Sequence, residues 1–182
     1  NLDENNVLKI LKPLLEDKTV KKVGQNIKFD YIIFYHRGID MKFLEDTMLM
    51  SYVLDAGKNK HNMDELSKIH LDHQTISYKD LVGTGKKQIT FDSVDIDKAK
   101  DYAAEDADVT YRLYKKFLKD IKEEKLVNIY ESFEKPMIKI LSKLETNGIK
   151  VDENYLIELS KKFKTRLIKI EKEIYKISGK EF

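Results

Sequence analysis

The stretch from Asp101 to Tyr114 constrains the fold more than any other. It is rich in alanine, holds no Gly or Pro, and spaces its apolar residues at helical intervals, so it must be helix. Tyr102, Asp106, Val109, Leu113 and Phe117 follow one another at steps of four, three, four and four, which puts them on one face. A helix with such a stripe buries it, and burial carries Asp106 inward. A buried carboxylate without a partner is costly; such a group is hydrogen-bonded, ion-paired or bound to a cation. Asp108 lies roughly 200° around the helix and Glu105 roughly 100° to one side, and both are expected at the surface.

At 182 residues the chain is long enough for one ordinary domain and part of a second. A hydrophobic share of 41% supports a packed core. The charged share is 36%, but 34 Lys and Arg nearly balance 32 Asp and Glu, so a nucleic-acid site must be a local patch rather than a global field. The absence of Cys excludes disulfides and thiolate metal sites. No apolar run reaches transmembrane length and no signal peptide is visible, which sets a cytoplasmic, membrane-free expectation.

The chain opens with a helix over 5–16, for which Asp3 is a plausible N-cap. A strand is predicted over 19–24 and a helix from Asn26 to just before Gly38. A short strand over 41–46 leads into a helix over 47–54, and further helices follow over 63–71 and 75–81. A loop spans 83–87, and the helix carrying the opening stretch runs from about 95 to 124. Beyond it, an amphipathic helix is predicted over 128–145 with Pro136 in its first turns, then a turn at Asn147-Gly148. A strand over 149–151 and a last helix, capped by Asp152 and reaching Ile177, complete the pattern. The change of register near Glu124 divides the chain into 1–124 and 125–182.

A second carboxylate joins Asp106. Asn26 and Asp30 stand four apart just after the first strand and share a face with Ile33 and Phe34. Tyr102 and Asp106 repeat that spacing on another helix. Two inward aspartates on separate helices, each with a polar partner one turn earlier, suit hard divalent cations such as Mg²⁺ or Mn²⁺. Taken alone the spacing fits an ordinary pair of helices equally well. Other candidates read as bland: His70 and His73 as surface residues, His61 as a loop residue, and Gly83-Thr84-Gly85-Lys86 as a flexible loop without the full phosphate-binding pattern.

The residues around these positions carry a resemblance. Leu11 to Asp17, Lys22 to Asp30, Asp46 to Leu54 and Tyr102 to Thr110 closely resemble the 3′→5′ proofreading exonuclease domain of the bacterial family A DNA polymerases, of the DnaQ-like class with a tyrosine-type third motif. Phe133 to Asp152 resembles the entry into the family A polymerase domain, leading to its thumb. The resemblance covers essentially the whole chain, and its motifs occur in order.

It implies an α/β fold: a partial ribonuclease H-like exonuclease domain over 1–124, without its N-terminal strands, then an α-helical segment over 125–182. It also implies two divalent ions (Mg²⁺ or Mn²⁺, with Zn²⁺ as a further candidate) held in part by Asp30 and Asp106, with Tyr102 orienting the attacking water. Gln25, Asn26, Phe29, Lys60 and Tyr78 match positions that grip a single-stranded 3′ end, Lys60 standing where an Arg is common. Implied partners are the 3′ end of DNA and primer-template DNA, for a monomer working at the bacterial nucleoid. The family's first motif, D-x-E on an upstream strand, occurs nowhere in the chain, so this sequence is expected to be an internal piece with little activity alone. Two rivals remain: an inactive scaffold version of the domain, and an RNA-processing exonuclease of the same fold.

Overall fold

The computed structural model describes residues 2–181; Phe182, in the expected terminal stretch, lies outside them. Two compact units emerge, Asn1–Thr146 and Asn147–Phe182.

In the first unit, α1 (Glu4–Glu16) starts where Asp3 accepts a hydrogen bond from the Asn6 N–H. Next come β1 (Lys22–Gly24), α2 (Ile27–Tyr35), β2 (Leu44–Asp46) and α3 (Thr47–Asp55). The two strands pair in parallel, with Lys22, Val23 and Gly24 opposite Leu44, Glu45 and Asp46. Pairing covers three residues of each, so the strands expected over 19–24 and 41–46 shorten to the part that finds a partner. Further on lie α4 (Met63–Leu71), α5 (Tyr78–Val82) and α6 (Ile96–Glu123). Asn62, Ser77 and Asp95 cap them by accepting from N–H groups of their first turns.

The long helix α6 anchors the core. Its stripe residues Val109, Leu113 and Phe117 are fully buried and pack with Met50 of α3 and Leu66 of α4. Each such side chain contributes about 1.5–3 kcal/mol on leaving water. Ile27, Tyr31 and Leu44 form a second cluster with Leu15 of α1. Lys22 is buried there by its strand register, and its ammonium donates to the carbonyls of Leu14, Asp17 and Val20. Desolvation lowers its pKa.

The first unit continues past Glu124. A short turn of helix, α7 (Val127–Ile129), passes through a π-helical turn (Tyr130–Glu134) into α8 (Lys135–Asn147). The helix expected over 128–145 is therefore interrupted by a π turn just before Pro136. Ion pairs from Lys135 to Glu45, Lys139 to Asp40 and Glu145 to Lys28 tie α8 to the strand-bearing half.

The second unit is dominated by α9 (Glu153–Ser178), capped by Asp152, which accepts from the Tyr155 N–H. None of its described residues is buried. The strand expected over 149–151 is absent among the described residues: no partner strand stands opposite it, and three alternating residues cannot form a strand alone.

Candidate active site

Three elements converge on an open groove of about 690 Å³. From one side, α6 presents Asp106, Ala107 and Thr110. From the other, β1 and the start of α2 present Val23, Gly24, Gln25, Ile27 and Asp30. The local fold explains the convergence. Val109 and Leu113 bury α6 against α3 and α4, and this turns Asp106, one turn earlier on the stripe, toward β1. Gly24 lets α2 begin close to the strand: a Cβ there would stand 2.8 Å from Ile27 Cγ1 and 2.9 Å from its Cβ.

Asp106 is half-buried, and its Oδ1 is a buried oxygen with no hydrogen-bond partner among the described residues. Burial raises its pKa; the Tyr102 hydroxyl works the other way, and the charges of Glu105 and Asp64 add to the rise. Tyr102 is itself pushed up to about 12 by burial and by the Asp106 carboxylate. Asp30 stays open to solvent on the groove wall rather than turning fully inward, yet the protein crowding it still raises its pKa.

The other expected residues lie around this groove. Gln25 is locked: its Nε2 donates to the His61 carbonyl at 2.7 Å, and its Oε1 accepts from Thr47 Oγ1 at 2.5 Å. Asn26 takes a left-handed conformation with φ 58° and opens into a neighbouring cleft beside Met48 and Met137. Its side chain caps nothing. Phe29 projects from α2, 64% exposed. Lys60 lines a second cleft with Asp64 and Ser77. Tyr78, at the start of α5, lies 6.2 Å ring to ring from both Phe91 and Tyr102, and is stacked on Phe91. The structure thus brings Asp30, Asp106 and Gln25 into one groove and joins Tyr102 to Tyr78, while Asn26 and Lys60 line adjoining clefts.

Sequence reasoning missed several residues. Glu105 is not the surface residue expected. Its carboxylate meets His73 Nε2 at 2.8 Å and accepts from the Ile76 N–H at 2.6 Å, pinning the segment that leads to Tyr78. His70 and His73 are likewise half-buried, His70 edge-on against Phe117. Phe91 completes the aromatic trio. Asp46, nearly fully buried, accepts from three backbone N–H groups, and its pKa is nonetheless raised by burial. The N-cap preference for Asp before a helix was the available signal for Asp46.

No group of three or more His, Cys, Asp or Glu suited to a metal occurs among the described residues. The site is therefore an open α/β groove walled by two carboxylates from different helices.

That class has a family. Residues 1–122 match the family described as 3′-5′ exonuclease, and the chain belongs to it. It is 46% identical to a DNA polymerase I of Rhizobium leguminosarum across 94% of its own length and 17% of the relative's. It is 39% identical to a DNA polymerase I of Pseudomonas aeruginosa, covering all of this chain and 20% of that protein. The chain thus spans about a fifth of these relatives. Its fold matches, with a TM-score of 0.73 at 17% identity, a structure titled as the POL domain of Pol1 from M. smegmatis in complex with DNA primer-template and dNTP. That match covers the whole chain and 28% of the other.

Proposed function

We propose that this chain is part of a DNA polymerase I and carries most of its proofreading 3′→5′ exonuclease, which removes the 3′-terminal nucleotide of DNA by hydrolysis. The observation that carries the reading is the unpartnered, buried Asp106 Oδ1 in a groove shared with Asp30. A buried acceptor left without a donor costs about 1–3 kcal/mol, and a cation satisfies it. Two carboxylates fit Mg²⁺ or Mn²⁺, which complete their shells with water and substrate phosphate. Asp30 and Asp106 would hold such ions. Fewer than three candidate ligands stand here, and the remaining ones are assigned to other parts of the polymerase. A bound divalent pair supplies positive charge to the attacking and leaving oxygens of phosphodiester hydrolysis.

The chain's own residues do the rest. Tyr102 orients the attacking water through its hydroxyl beside Asp106. Tyr78 offers an exposed ring for the terminal base, and Lys60, Gln25, Asn26 and Phe29 grip the sugar-phosphate chain and the last nucleotides. The product is a nucleoside monophosphate. A frayed, mismatched end reaches the groove more readily than a paired one, because unstacking it costs less.

We assign 1–124 to a ribonuclease H-like, DnaQ-like exonuclease domain whose other strands lie outside these residues, and 125–182 to the start of the polymerase domain. In support, β1 pairs with β2 alone among the described residues and leaves an edge beside the groove. The setting is a monomeric bacterial enzyme in the cytoplasm, working on primer-template DNA. The test is excision by the intact protein from 3′-labelled primers, paired or mismatched, and from RNA. Faster release of mismatched DNA ends supports the reading; equal or faster cleavage of RNA overturns it.

A further inference from the structure

Asp46 is nearly fully buried, and its carboxylate works on two helices at once. It accepts from the Met48 N–H at 2.9 Å, capping its own helix α3. It also accepts from the N–H groups of Asn26 and Ile27, each at 3.0 Å, at the start of α2. Asn26 provides no side-chain cap for α2, so Asp46 serves as its cap from another part of the chain. The bonds on either side of the Asn26–Ile27 peptide hold Asn26 in its left-handed conformation, φ 58°, which non-glycine residues rarely adopt. Asp30 stands one turn further along α2.

Asp46 is itself held from beyond the segment that matches the exonuclease family. Its backbone N–H donates to Tyr130 Oη at 3.0 Å, and that hydroxyl donates to Glu45 Oε2 at 2.9 Å. Lys135 closes the chain by donating to Glu45 Oε1 at 2.8 Å. Tyr130 and Glu45 are both buried, so the bonds from Asp46 to Tyr130 and from Tyr130 to Glu45 are shielded from water.

We propose that Asp46 is a positioning residue of the exonuclease site, held by Tyr130 and Lys135, and sets where Asn26 and Asp30 stand relative to Asp106. This rests on the proofreading reading above. It makes the π turn at Tyr130–Glu134 and the start of α8 part of the exonuclease machinery rather than a mere connection.

The test uses the intact protein and D46N, Y130F, I121A and D106A. Asn at 46 turns an NH₂ toward backbone N–H groups, and Phe at 130 removes one hydroxyl. Ile121, buried near the C-terminal end of α6, shares a core cluster with Tyr130 but gives no hydrogen bond to Asp46 or Glu45, so I121A serves as the control for lost packing alone. The expected result is a D46N kcat for single-stranded DNA excision lowered about 10- to 100-fold with KM little changed. Y130F moves the same way by less, while I121A, although its melting temperature falls, keeps a wild-type kcat. Hydrogen exchange of the amides of Asn26 and Ile27 speeds up in D46N and Y130F and not in I121A. A wild-type kcat in both D46N and Y130F overturns the proposal, as does an equal loss in I121A. Should D46N not fold, Y130F decides by the same two readouts. Wild-type excision no faster than D106A defeats the proofreading reading instead, and the exchange at Asn26 and Ile27 then decides whether Asp46 positions α2.

Discussion

Asp106 is a carboxylate kept where it is least comfortable. A folded-state pKa above the unfolded value near 3.8 means the folded chain binds a proton more tightly. Its contribution therefore favours folding at low pH and is lost as pH rises from the unfolded value through the raised one. D106N removes that loss. Without divalent ions it is expected to melt about 2–4 °C higher than wild type at neutral pH, and its urea midpoint should fall less between pH 4 and 7. Adding Mn²⁺ should raise the melting temperature of wild type and not of D106N. A variant that melts lower, or responds equally to Mn²⁺, contradicts this account of Asp106. At this scale the sequence was partly legible. The apolar stripe pointed to Asp106 because its neighbours on the same helix announce the face. Glu105 misled because its partners, His73 and the Ile76 backbone, come from about thirty residues away. Helical periodicity carries nothing about them.

Among the elements, α2 has the narrowest tolerance. It starts hard against β1 because Gly24 has no side chain, and Ile27 is buried and cannot yield. G24A is expected to cost about 1–3 kcal/mol by overpacking and to lower excision by displacing Asp30. Chemical denaturation and the excision rate check the two effects; unchanged stability would show that the contact can relax. The α6, α3 and α4 helices were readable from period and caps, since each carries its own signal in consecutive residues. The strand expected over 149–151 was not real, because a strand exists only through a partner, and three alternating residues say nothing of one. The π turn at Tyr130–Glu134 was equally hidden; there the buried Tyr130 reaches the backbone of β2, a long-range bond that local spacing does not show.

For the whole molecule, a compact unit of residues 1–146 reaches beyond the family match over residues 1–122. Packing and family boundaries need not coincide, and three ion pairs tie α8 to α2, to β2 and to the segment between them. The small net charge of +2 leaves DNA affinity to local groups. Stacking on an exposed ring is worth about 1–3 kcal/mol per base. Y78A should therefore raise the KM for single-stranded DNA about 5- to 150-fold while changing kcat little. A kcat loss with KM intact would instead put Tyr78 in the support of Tyr102, its ring neighbour. The central claim is that Asp106, with Asp30, serves phosphodiester hydrolysis. The most direct measurement is release of nucleoside monophosphate from a single-stranded DNA 3′ end by the intact protein with Mg²⁺, wild type against D106A. The account predicts steady release by wild type and a loss of at least about 100-fold in D106A. Equal release by the two proteins would contradict it, and no release by either would leave the groove a scaffold rather than an active site.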